Sequence, residues 1–337
     1  MQQKLLTGIS KIPGIRYLRM LKIAAENVYF TLKDHRRSSQ YSLGHYHSPV
    51  PDPDYIRRRE NEIWPQLPEF LQGIDLNVKE QLQYLDSFKH YYDMMPFQET
   101  KNDRLRYHFE NGFYTYSDAI ALYSMIRKLR PKRIIEIGSG YSSCVMMDTN
   151  ELFFNDEIEI TFIEPHPDRL ISLMKKDDLT KYKIIRQEIQ TVEMPFFNTL
   201  KENDILFVDS SHISKIGSDV NHIIFNVLPL LNNGVHIHFH DIFYPLEYPK
   251  KWIYQGTCWN ETYLLRAFLQ YNNLFNIVFF NTYLECFYKD IFENHMPLCL
   301  RDAVDGTSVH GSIWLKHVRL NQKVEWPDNI PLAERSA

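Results

Sequence analysis

The stretch GVHIHFHDIFYP, residues 234–245, sets three histidines at alternate positions and follows the last with an aspartate. In an extended strand alternate side chains share a face, so His236, His238 and His240 lie together and Val235, Ile237 and Phe239 lie opposite. His236 and His238 fall inside the strand, beneath a helix, where they are expected to be structural and hydrogen-bonded. Only His240 and Asp241 reach the carboxyl end. A similar pair closes ILFVDSSH, with Asp209 followed three residues later by His212. Imidazole titrates near neutral pH, which suits His240 first, and His212 after it, to act as the general base for an attacking hydroxyl. Metal binding is the competing chemistry. Neighbouring strands lie about 4.8 Å apart, so Asp209 and Asp241, with His240, could share one divalent ion. Carboxylates suit Mg²⁺, and a histidine shifts the preference toward Mn²⁺ or Zn²⁺. The zinc-hydrolase pattern HxHxDH is not matched, because the final pair is inverted to HxHxHD.

Upstream, EIGSGYSS places Glu136 at the end of an apolar run, Gly138 and Gly140 in a turn around Ser139, and Ser142 and Ser143 where a helix should begin. Glycines let the backbone bend and approach a ligand with no Cβ in the way. A pyrophosphate-binding loop calls for a third Gly or Ala at 143. Here that residue is serine, and the acid at 136 suits a ligand bearing an ammonium group. FIEPHP then puts Glu164 at a strand tip, 24 residues beyond Gly140, where a carboxylate can accept both hydroxyls of a ribose.

These residues need a scaffold that brings strand ends together. Short apolar runs at 133–137, 158–164, 182–187, 204–209, 234–241, 275–281 and 312–318 read as strands. Helical segments fit between the first six, including 166–176, 214–231 and 259–271. That alternation predicts an α/β fold with a mostly parallel sheet. Only loop-like sequence separates the last two runs, which predicts an antiparallel final pair. Ahead of the sheet, YSDAIALYSMIRKLRPK reads as an amphipathic helix with Ser117 as its N-cap and Pro131 as its stop. The prolines and small polar residues of 38–54 break the chain before an irregular helical stretch that runs to about residue 108. The boundaries expected are an arm at 1–37, a linker and helical cap at 38–110, a catalytic domain at 111–320 and a tail at 321–337.

Together, IIEIGSGYSS, FIEP and ILFVDSSH at these spacings resemble the class I S-adenosylmethionine-dependent methyltransferases, in particular the small-molecule branch known as methyltransferase domain 24, over roughly residues 110–318. The resemblance implies a Rossmann-like, seven-stranded sheet with the last strand antiparallel. It also implies that Glu136 and the turn Gly138–Ser139–Gly140, with Ser143 in the same loop, hold the methionine end of S-adenosylmethionine. Glu164 would take the ribose, Gln187 and Glu188 would flank the adenine, and Asp209 would lie by the transfer centre. In relatives that use a divalent cation, one ligand follows the fourth strand and an acid–amide pair follows the fifth. Asp209 matches the first and His240–Asp241 departs from the second, which leaves Mg²⁺ or Mn²⁺ at Asp209, Asp241 and His240 beside the metal-free reading.

Composition bounds the partners. The 44% hydrophobic and 24% charged fractions are those of a globular chain, and a net charge of −4 argues against bulk nucleic-acid binding. Four dispersed cysteines suggest a reduced, cytoplasmic setting. Residues 1–40 carry eight Lys and Arg against two acids, interleaved with apolar residues. A peripheral membrane contact through residues 1–37 is one reading and a helix packed on its own domain is the other. The expected function is methylation of a hydroxyl on a small polar substrate, a sugar or glycan precursor being one such class, with the 282–311 connection and the helical cap covering the strand ends. Tyr244, Trp252, Trp259 and Tyr263 are expected at that mouth. A nicotinamide-dependent oxidoreductase and a non-catalytic scaffold are the alternatives. The first lacks a third glycine and a Tyr-x-x-x-Lys pair.

Overall fold

The computed structural model describes residues 15–33, 41–301 and 310–318. Its contacts divide the chain into two units, residues 1–65 with 252–258 and residues 66–251 with 259–337. The larger unit holds the sheet. Its strands are β1 (Arg133–Ile137), β2 (Glu159–Ile163), β3 (Lys183–Ile185), β4 (Ile205–Val208), β5 (His236–His240), β6 (Phe275–Phe280) and β7 (Ser312–His317). They stand in the order β3-β2-β1-β4-β5-β7-β6. β3, β2, β1, β4 and β5 are parallel, and β7 runs antiparallel to both β5 and β6. This is the expected mostly parallel seven-stranded sheet with an antiparallel last strand. The central strands are buried along almost their whole length, which is why they read as continuous apolar runs rather than alternating ones. Strand order reverses between β1 and β4, and that reversal opens a crevice at the carboxyl edge.

Two local expectations are corrected. The helix before β1 runs Tyr116–Leu129 with Thr115 at the N-cap position, so Ser117 lies inside it. The Ser117 hydroxyl instead donates to Glu285. Arg130, in the left-handed region at φ 49°, ends the helix just ahead of Pro131. The connection between β6 and β7 is also not all loop. Among the described residues it forms the helices Asn281–Phe287 and Lys289–His295 and a 3₁₀ turn at Pro297–Leu300.

The helix Val78–Tyr92 buries Tyr84, Leu85 and Phe88, and Phe88 packs its ring 4.9 Å from that of Phe279 on β6. Tyr84 also reaches β5, where its hydroxyl lies 2.9 Å from His236 Nε2. His236 is therefore the structural histidine expected of a mid-strand position. His238 departs from that expectation. Neither of its ring nitrogens meets a protein partner, and the ring stacks flat on Phe207 with centroids 4.0 Å apart. Burial holds both imidazoles neutral, His236 pushed down to about 3 and His238 well below the ordinary histidine range. A neutral imidazole serves here as a flat core ring.

Candidate active site

The turn after β1 is shaped by contacts that only glycine permits. Gly138 has φ +77°, and a Cβ there would come within 1.8 Å of the Asp209 carbonyl oxygen. The Gly138 amide donates to Ile163 O of β2, and the Asp209 amide donates to Ile137 O of β1. The glycine turn, the tip of β2 and the end of β4 are thus locked together. Gly140 is different. Its φ is extended, and an added Cβ would meet nothing closer than Arg169 Cδ at 3.6 Å, so protein packing leaves room in front of it.

Glu136 sits behind this turn, fully buried, and accepts hydrogen bonds from the Ser142 and Ser143 hydroxyls. The Ser143 oxygen in turn accepts from the Gly140 amide. Burial pushes the Glu136 carboxyl up to about 8, against the lowering effect of those serines. Glu136 and Ser143 brace the turn from inside. Glu164, half-buried at the tip of β2, accepts from the Ser139 amide at 3.2 Å and from the His166 amide at 2.8 Å. Two amides fix its carboxylate in place while each oxygen keeps further acceptor capacity. Gln187 and Glu188 follow β3 and are exposed.

β4 and β5 are in register from Ile205↔His236 to Val208↔Phe239, so Asp209 and His240 leave adjacent strands side by side. Asp209, His240 and Asp241 each offer a ligand atom, all within 4.8 Å of one another. His212 closes the group. Its Nε2 lies 3.3 Å from Asp209 Oδ1 and 3.6 Å from Asp241 Oδ2. Its Nδ1 lies 2.8 Å from Oε2 of Glu261, a carboxylate only 1% exposed. The His212 carbonyl accepts the amides of Asn260 and Glu261, and the Trp259 ring lies 4.3 Å from the imidazole. His240 is held more loosely, with Nε2 3.6 Å from Asp241 Oδ1 and Nδ1 4.0 Å from Asp118 Oδ2. Asp118 is itself fixed by Asn281 Nδ2 and the Gly311 amide.

Charges in this cluster set one another. Burial acts to lower His212, yet hydrogen bonds with Asp209 and Glu261 hold it well above the usual histidine range. Burial opposes His240 too, and Asp241, Asp209 and Asp118 together raise it. Burial would lift Asp209, but His240 and the bond from His212 keep it low. Asp241 is pushed up to about 6 by burial, against the pull of the two histidines. His212 and Asp241 both adopt left-handed φ, 59° and 56°. Such conformations cost about 1–3 kcal/mol each and tend to gather at functional sites.

The four residues expected at the transfer centre, Asp209, His212, His240 and Asp241, come together in space. Of the aromatics expected at the mouth, Trp259 faces the cluster. Tyr244 is buried, with its hydroxyl on the Pro68 carbonyl, and Tyr263 is exposed and bonded to Glu247. Trp252 belongs to the other unit. Glu261 and Asp118 were not singled out in the sequence, where they appear only as acids in the first turns of helices.

A 3-2-1-4-5-7-6 sheet reversed only at β7, with a glycine turn after β1 and acids at the tips of β2 and β4, defines a class I S-adenosylmethionine-dependent methyltransferase. The family model described as "Methyltransferase domain" matches residues 135–242, from β1 through the end of β5. An uncharacterised protein of Archaeoglobus fulgidus is 40% identical over 168 residues, which cover 48% of this chain and 74% of that protein. The chain belongs to this methyltransferase domain family. Among solved structures, it is similar to the O-methyltransferase TomG of Streptomyces achromogenes, in complex with SAM, at 12% identity and TM-score 0.39 over 79% of this chain and 96% of that one. It is also similar to the SAH-bound methyltransferase PaMTH1 of Podospora anserina, at 14% identity and TM-score 0.38 over 84% and 100%.

Proposed function

We propose that the chain transfers the methyl group of S-adenosylmethionine to a hydroxyl of a small polar acceptor, with a sugar or glycan precursor as the class favoured. The observation that supports this reading is the close approach of Gly138 to the Asp209 backbone, which brings the glycine turn beside the acid–imidazole cluster. When bound, S-adenosylmethionine supplies an electrophilic methyl group. Glu164 holds the ribose hydroxyls, and the turn Gly138–Ser139–Gly140, braced by Glu136 and Ser143, holds the methionine end. Gln187 lies on the adenine side. Asp209 and Asp241 face the acceptor. Asp241, its carboxyl pushed up to about 6, receives the acceptor's proton, and His212, aimed by Glu261 and held in its charged form, stands 3.6 Å from it. A positioned base of this kind is worth about 10²–10⁴-fold. His240 stands behind Asp241 and supports its charge.

The donor set of Asp209, His240 and Asp241 also fits a divalent cation, Mg²⁺ or Mn²⁺, by its spacing and its oxygen–nitrogen chemistry. Such an ion would supply Lewis acidity at the acceptor hydroxyl.

Calorimetry tests the reading. S-adenosylmethionine or its demethylated product should bind where NAD does not, and Glu164→Ala should weaken binding by about 1.5–3 kcal/mol, the worth of hydrogen bonds to a charged group. Loss of affinity in Glu188→Ala but not in Glu164→Ala would move the ribose site away from β2.

A further inference from the structure

The helix Ile15–Lys33 is 19 residues long, and every one of its side chains that the structure describes is exposed. Leu21, Val28 and Leu32 are 65%, 59% and 83% exposed. With Ala25 they recur at intervals of four, three and four, which is one continuous face of an α-helix. Lys22 and Lys33 stand on one flank of that face, Lys22 in a loose pair with Glu26 at 3.8 Å. Ile23, 47% exposed, falls outside the stripe. The helix sequence carries four Lys and Arg against one acid. The first 40 residues hold a surplus of six cations in a chain whose net charge is −4, so the remaining residues carry a surplus of ten acids. The positive charge is thus concentrated on the segment that also shows an uncovered apolar stripe.

We propose that this helix docks the protein onto an anionic lipid surface, with Leu21, Ala25, Val28 and Leu32 set into the headgroup region and Lys22 and Lys33 on lipid phosphates. An apolar stripe alone would fit a second protein equally well. The cationic flank is what selects a lipid surface, since it complements anionic headgroups. No helix among the described residues is long and apolar enough to cross a membrane, so the contact lies on the surface. It places the methyltransferase domain beside the membrane whatever its acceptor, and it stands or falls independently of the proposed reaction.

The test is cosedimentation of the full chain with vesicles of phosphatidylcholine alone or mixed with phosphatidylserine. Binding should require the anionic lipid and should fade as salt shortens the screening length below about 10 Å. The variant Leu21→Glu/Val28→Glu/Leu32→Glu should abolish it with an unchanged thermal midpoint. Lys22→Gln/Lys33→Gln should lower the partition coefficient about 25-fold, since each basic residue near such a surface contributes about fivefold. Equal binding to neutral vesicles, or binding that survives the triple glutamate variant, would overturn the proposal. So would a fall in midpoint in that variant, which would mean that the stripe packs on the protein itself, or a dimer in light scattering that the variant dissociates.

Discussion

Glu261 shows how a residue remote in sequence can govern one in the acid–imidazole cluster at the ends of β4 and β5. It lies 49 positions beyond His212, yet it opens the helix that caps His212's carbonyl and puts a buried carboxylate on Nδ1. In the unfolded chain a histidine titrates near 6.5, and in the fold His212 is held well above that. The contact therefore contributes stability that is fully present below about pH 6.5 and is lost as pH rises through the raised value. Glu261→Gln keeps the shape and removes the charge. The variant should be less stable than the parent at pH 6, with the gap closing in alkali, as read from urea midpoints. Ring resonances should show His212 titrating lower in the variant. An unchanged titration would mean that Glu261 does not set the charge of His212. Asp209, His212, His240 and Asp241 were legible in the sequence because strand ends are where such sheets bind ligands. Glu261 and Asp118 were not, because their partners are chosen by tertiary packing that no local spacing encodes.

At the scale of the element, β5 shows that polar residue types can build an apolar interior. His236 and His238 are neutral in the fold and titrate far below 6.5, so their contribution to stability is present above about pH 6.5 and is lost as pH falls. His238→Phe keeps a flat ring on Phe207 and removes the titrating nitrogens. Below pH 6 the variant should lose less stability than the parent, by about 1.4 kcal/mol for each pH unit. Urea unfolding at pH 7.5, 5.5 and 4.5 measures this, and parallel curves for parent and variant would assign the acid sensitivity elsewhere. The strands themselves were legible as apolar runs because β1, β4 and β5 are covered on both faces. Asn281–Phe287 and Lys289–His295 were not, since seven residues make only about two helical turns, too few for a hydrophobic period to show.

On the scale of the whole chain, the methyltransferase domain and the N-terminal helix have different relations to the core. Among the described residues the tightly buried ones begin at Leu71, and from there the strands and helices share one continuous apolar cluster. The described side chains of Ile15–Lys33 contribute none of it. The arm expected at 1–37 is described only at 15–33, and the tail expected from residue 321 lies outside the described residues. Deleting residues 1–37 should accordingly remove no core packing. The thermal midpoint should shift by less than about 2 °C, the effect of well under 1 kcal/mol in a domain of this size, and the affinity for S-adenosylmethionine should stay that of the full chain. Scanning calorimetry and a cofactor titration on the truncated chain measure the two quantities. A larger fall in midpoint would show that the arm is part of the fold. Unchanged stability with weakened cofactor binding would instead give the arm a role at the carboxyl edge of the sheet. With both unchanged, the charge surplus and the uncovered stripe of the arm are free of any duty to the fold, which is the condition for a segment whose work is to hold the domain at a surface.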